Sequence, residues 1–352
     1  MKRLLALLLL LSLVVMPVWG ELAAPEVPEA GAKYMPEETK SFGKSLQHIL
    51  KELLPILWPN LQEGLGAAAG LIAACMLVGL LRTEDPMAQK CADLVGAVSI
   101  AALLLTRTGA MIRLGETTVQ ELSEYEKLLL PCMTAAMAAQ GGAATGAALY
   151  AGSAVFNTVL SRLLVRLMVP VQYLYLAAAT AAGVLGSGPL KNLKDTIKDL
   201  LLWCLKTILS LFTAYLGITG VVSGSADAAA LKAAKATFGT FIPVVGSILA
   251  DASEAVLVGT GVLRSAMGIY GILAILAVFL EPFCRIGIQY LILRLTGSLC
   301  AMFGTKTQTA LIADFGEVMR MLLGMTGAMC ILLLVSTVCF LKGVGCWRQG
   351  MC

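Results

Sequence analysis

The chain opens on a short apolar block. Leu4 to Val15 carries no charge and is apolar but for Ser12, preceded by Lys2 and Arg3 and succeeded by Pro17 and Val18-Trp19-Gly20. A basic start, a brief apolar run and modest residues ahead of Glu21 form the pattern of a secretory signal peptide, too short to span a bilayer. Residues 1–20 are assigned to it, with an uncleaved anchor as the alternative. Either way, the segment from Glu21 onward is expected on the extracytoplasmic side. Residues 21–63 divide in two. Pro25, Pro28 and Pro36 among Glu21, Glu26, Glu29, Glu37 and Glu38 predict a flexible linker. From Phe42 onward, Leu46, Ile49, Leu53 and Leu57 recur at helical spacing, with Lys44, Gln47, Lys51 and Glu52 opposite them. That pattern predicts an amphipathic helix, lying on a membrane surface or packed against protein.

Residues 64–342 change character. Gly64 to Leu81 and Met321 to Leu341 carry no charge and are long enough to cross about 30 Å of hydrocarbon. Further predicted spans are 167–186, 200–222 and 265–280. Two more, 94–112 and 286–303, contain Arg107 and Arg294. The uncharged stretch 128–161 would be about 51 Å long as one helix, too long for a simple crossing. Gln140-Gly141-Gly142 near its middle predicts a kink, a broken pair or a re-entrant hairpin. The glutamate-bearing stretch 113–127 is read as an outer loop, and residues 343–352 as a short polar tail. The expectation is an all-α, polytopic transmembrane bundle of about seven to nine membrane segments, some broken or re-entrant, behind a signal peptide.

Small residues within the spans add a packing expectation. Gly66 with Gly70 and Gly142 with Gly146 fit the four-residue spacing at which helices approach closely in lipid.

Composition agrees with a membrane chain. It is 58% hydrophobic and 14% charged, where soluble domains carry about 25% charged residues. Mean hydropathy is +0.85. The net charge of +4 is too small and dispersed for nucleic-acid binding. His48 is the single histidine, and the ten cysteines form no C-x-x-C pair. No zinc, haem, cofactor or catalytic site is therefore expected. The cysteines fall mostly in apolar runs, where they act as small buried hydrophobes. No nucleotide loop, H-E-x-x-H or membrane-embedded Ser–His pair is found, so an enzyme is not expected.

Charges among the apolar runs are the candidate functional chemistry. Asp251, Glu254 and Arg264 come after an apolar run interrupted by Gly239, Pro243 and Gly246, and Glu281-Pro282 and Arg285 separate two more. Proline and glycine at membrane depth suggest broken helices. Two readings stand. These charges line a polar path, with Glu281 paired to Arg285 one turn on, or they sit in short loops facing water. Asp314, Glu317 and Arg320 are read as a solvated helix end.

One segment carries a resemblance. Lys232 and Lys235 precede Phe241-Ile242-Pro243-Val244-Val245-Gly246, and Ala250-Asp251-Ala252 and Glu254-Ala255-Val256 come next. With the signal peptide, amphipathic helix and Gly/Ala-rich spans, this resembles the stage III sporulation protein AE family. The N-terminal region is short for that family. Where relatives carry a Pro-Ile-Gly-Asp-like turn, this chain reads Gly297 to Thr305. The resemblance implies a permease-like membrane core subunit of a channel or secretion-like complex. Its implied place is the mother-cell membrane surrounding the forespore. The implied partners are other stage III sporulation A membrane and ring-forming proteins and a forespore-side channel protein. The rival reading is a stand-alone secondary transporter for a small solute.

Overall fold

The computed structural model describes residues 25–36, 42–80, 85–138, 143–185, 189, 192–208, 210–212, 214–215 and 246–342, and of residues 246–266 the backbone alone. The predicted signal peptide, the tail at 343–352, Gly142 and the segment from Phe241 to Val245 lie outside the described residues, as do the side chains of Asp251, Glu254 and Arg264.

Every element among the described residues is helical. A single turn, α1 (Glu29–Ala32), precedes α2 (Phe42–Leu80), α3 (Pro86–Ala138) and α4 (Ala143–Leu163). A π-helical turn, Leu164–Met168, joins α4 to α5 (Val169–Leu185). Helix α6 takes up residues 192–208. The last two helices are α7 (Gly246–Phe303) and α8 (Lys306–Lys342).

The helices pack side by side. Helix α2 runs parallel to α7: Gly64 faces Ile292, and Gly79 abuts the Phe303 carbonyl. Helix α8 folds back antiparallel, so that Gly268 meets Leu341 and Gly297 meets Ile312. Helix α3 runs along α8, with Gly96 against Gln308 and Gly115 against Leu322. The α7–α8 turn is fixed by a capping box. The Thr305 amide donates to Gln308 Oε1 at 3.1 Å, and the Gln308 amide donates to Thr305 Oγ1 at 3.4 Å. This Thr-x-x-Gln spacing satisfies two helix-start donors.

The π turn also has a local cause. Pro170 has no amide proton for the Arg166 carbonyl, and its ring crowds that oxygen. A widened turn moves the oxygen aside.

Among the described residues, five helices are long and apolar enough to cross a membrane: Phe42–Leu80, Met87–Ala138, Ala143–Val184, Met267–Phe303 and Lys306–Leu341. The sequence suggests seven to nine membrane segments. Among the described residues several predicted pieces merge, and part of the predicted 200–222 span lies outside them. The amphipathic helix from Phe42 and the span from Gly64 are one 39-residue helix. The stretch 113–127 is no loop but the interior of a 53-residue helix. Its glutamates alternate with Val119, Leu122 and Tyr125, which are buried at helical spacing. No break occurs at Pro282, Gly259 or Gly261, since α7 is continuous for 58 residues. Asp314, Glu317 and Arg320 lie inside α8, not at its end. The division of 128–161 is observed: α3 stops at Ala138 and α4 starts at Ala143.

At 1.5 Å per residue, the 37-residue α8 spans about 55 Å, well beyond the ~30 Å hydrocarbon core. Its C-terminal half is apolar because it is central. Leu322, Met325, Met329, Leu332 and Phe340 are fully buried. A helix hydrophobic all round belongs inside a bundle. Exposed large apolar side chains occur near the α7–α8 turn, as with Leu77 and Leu80 of α2 and Met302 of α7, and also elsewhere, as with Leu54 and Trp58 of α2, Val155 of α4 and Trp203 of α6.

Gly66 and Gly70 have no neighbour within 4 Å, so within the chain they do not serve as the predicted close-approach pair. Gly146 does pack, against Met137 across the α3–α4 turn.

Candidate functional site: buried charges in the bundle

Glu281 anchors the first polar cluster. It sits one residue before Pro282 on α7, and its carboxylate is approached from three sides. Tyr34 Oη donates to Oε2 at 2.5 Å, Lys33 Nζ lies 2.8 Å from Oε2, and Arg285 Nη1 lies 3.6 Å from Oε1. The predicted Glu281–Arg285 pair is thus present, one helical turn apart. The segment just after α1 supplies the other two groups. Gly31 is pressed against Val278, where a Cβ would approach the Val278 side chain to 2.6 Å, and Tyr34 is buried. The hydrogen bond to Glu281, aided by the one to Tyr34, holds the Lys33 ammonium above its ordinary range. Burial, then the bond to Glu281, pushes the Tyr34 phenol up as well.

The second cluster has no counterpart in the sequence reading. Lys194 of α6 donates to both oxygens of Asp314 on α8, and Tyr175 of α5 donates to Asp314 Oδ1 at 3.3 Å. One turn along α8, Glu317 accepts from Arg320 at 2.6 Å and faces Lys198 at 4.0 Å. The i, i+4 spacing of Lys194 and Lys198 matches the i, i+3 spacing of Asp314 and Glu317, so two pairs form in register. Their sequence separation leaves no local signal.

The third group is Glu126 on α3, 1% exposed, with neither carboxylate oxygen hydrogen-bonded. Asn157 of α4 donates to the Ser123 carbonyl at 3.4 Å, one turn from Glu126, and its own Oδ1 has no partner. One turn back on α4, Ser153 shares a 2.8 Å hydrogen bond with Ser336 of α8. Acceptors from two helices are left unsatisfied together, which is rare in protein interiors. Sequence reasoning misses Glu126 because the glutamates of 113–127 read as a loop.

Of the other predicted pathway residues, Asp251, Glu254 and Arg264 all lie on the backbone of α7, so the short-loop reading does not hold for them. Among the described residues, no group of three or more His, Cys, Asp or Glu side chains could hold a metal ion.

An all-helical bundle with five apolar, membrane-length helices and charges paired inside it defines the class: a protein with the build of a multi-pass membrane component. The sequence profile of the family described as stage III sporulation protein AE matches residues 33–343, and the chain belongs to that family. A relative named stage III sporulation protein AE, from Bacillus subtilis (strain 168), is 24% identical over 253 residues, covering 70% of this chain. The match spans 63% of that relative's length. No solved structure matches.

Proposed function

We propose that this chain is the permease-like membrane core subunit of the sporulation stage III A channel, a secretion-like complex between mother cell and forespore. Family membership across residues 33–343 carries the reading. The bundle supports it physically. Ionisable groups at membrane depth are costly unless they serve a path or a partner, and this bundle encloses Glu126, Asp314, Lys194 and Glu281. In this reading the chain is not an enzyme. It enters the mother-cell membrane around the forespore behind its signal peptide. There it assembles with the other stage III A membrane and ring-forming proteins and a forespore-side channel protein. Energy comes from another chain, since this one has no nucleotide loop.

The test is genetic and biochemical. A deletion strain is expected to stop development after engulfment, and a mild-detergent pull-down from sporulating cells to recover the ring-forming partners. Normal spores from the deletion strain would overturn the reading. Purified protein carrying a small solute into liposomes without partners would favour the stand-alone transporter.

A further inference from the structure

A cleft of about 490 Å³ lies between α7 and α8, bordering the second cluster at Glu317 and Arg320. Its two ends differ. Tyr290, Arg294, Glu317 and Arg320 line one end. Toward the α7–α8 turn the walls are small, with Gly297, Ala301, Ala313 and Gly316. A Cβ added to Gly316 would find its nearest neighbour, the Leu293 Cβ, at 4.0 Å, so a methyl fits there without a clash.

Arg294 is the unusual group. It is exposed beside the outward row of Leu291, Leu295 and Leu299, which are exposed by 58%, 66% and 48%. A guanidinium among outward-facing leucines needs a counter-charge or an escape to the interface. Its guanidinium donates to Tyr290 Oη at 2.8 Å, and among the described residues no carboxylate pairs with it. Glu317 does not balance the site, because it is already shared by Arg320 at 2.6 Å and Lys198 at 4.0 Å. Positive charge is therefore in excess at this end. Tyr290, accepting from Arg294, still has its own proton to donate.

We propose that this cleft binds one anionic phospholipid, with its phosphate between Arg294 and Arg320 and an acyl chain along the small residues toward the α7–α8 turn. Arginine forks suit phosphate oxygens, and Tyr290 adds a donor. From Arg320 to Thr309, α8 covers about 16 Å, close to one leaflet of a ~30 Å hydrocarbon core. The acyl chain then runs beside the exposed Leu295 and Leu299. The proposal rests on membrane residence and not on the channel role, so lipid retention and spore formation are scored separately.

The full-length protein, purified in mild detergent, is given mixed micelles of phosphatidylglycerol and phosphatidylcholine in equal amounts. Native mass spectrometry counts the retained lipid. Phosphatidylglycerol is expected to be favoured about tenfold, because phosphatidylcholine has the same phosphate but its choline cation is repelled by the excess positive charge at this end. Arg294→Gln is expected to erase the preference, and Gly316→Leu to reduce retention by filling the groove with both arginines intact. Arg294 is exposed, so its replacement is expected to keep the fold, which size-exclusion chromatography checks. Equal retention of the two lipids by the unaltered protein would overturn the proposal, as would an undiminished preference in Arg294→Gln. Release of the bound lipid by millimolar inorganic phosphate would show a simple anion site, and would overturn it too.

Discussion

Lys194 of α6 donates to both carboxylate oxygens of Asp314, at 2.5 Å each, across 120 residues of sequence. The two side chains are 10% and 13% exposed, so water contributes little. Removing one member of a buried pair leaves the other charge uncompensated, at about 3–5 kcal/mol. Asp314→Ala and Lys194→Ala are each expected to lower stability by roughly that amount, while the double replacement is expected to recover much of it. Thermal or denaturant unfolding in micelles measures the cycle. Additive single effects would show that the pair is not coupled.

Glycine positions give a contrast within one protein. Tyr215 occupies the place a Cβ would take on Gly152, and its hydroxyl donates to the Ala148 carbonyl at 2.8 Å. Gly152→Ala must displace a ring, and is expected to cost about 1–3 kcal/mol. Gly66→Ala and Gly70→Ala meet open space and are expected to be neutral or to stabilise by up to about 1 kcal/mol through helix propensity. Unfolding temperatures of the three variants decide. If Gly66→Ala or Gly70→Ala keeps stability but loses a partner in pull-downs, that face is an interface with another chain.

Glu126 separates a structural role from a functional one. Because neither oxygen has a partner, Glu126→Gln keeps the volume and removes no hydrogen bond. It is expected to leave stability unchanged or slightly higher. Glu126→Lys introduces a longer buried cation and is expected to destabilise by several kcal/mol. If the carboxyl carries protons or cations along the bundle, Glu126→Gln will block spore formation in a protein that still folds and inserts. Full sporulation by Glu126→Gln would assign Glu126 to packing.

Docking of the first segment on α7 has a predictable response to alkali. Lys33 is held above its ordinary value of 10.5 by Glu281, so its contribution is complete below that value. The contribution is lost as pH rises through the raised value in the folded protein. Lys33 is 50% exposed, so solvent screening limits the effect to under about 1 kcal/mol. Protease cleavage around Lys33 is expected to be flat from about pH 7 to 9 and to quicken only in stronger alkali. Gly31→Val, which cannot fit against Val278, is expected to give fast cleavage at every pH.

Legibility in the sequence is uneven, for a consistent reason. Apolar content and the Phe241 to Gly246 segment point to an all-helical membrane chain of this family, and Glu281 with Arg285 is readable because the two lie one turn apart. Local charge density misleads at 113–127 and at 314–320, where polar residues suggest a loop and a helix end. In both places the charges lie on continuous helices, exposed on one face, paired across helices or, at Glu126, buried. The apolar run 321–341 reads as a membrane span, and packing puts it at the bundle's centre.

By itself the sequence determined that this chain is helical, apolar and of membrane type, because those properties come from composition and from short-range periodicity. The tertiary structure alone decided which charges meet. It brings Lys194 to Asp314, sets Tyr34 on Glu281 and leaves Glu126 unpartnered. Such pairings depend on the register between helices distant in the chain, and that register is set by close packing of small side chains that no local pattern encodes.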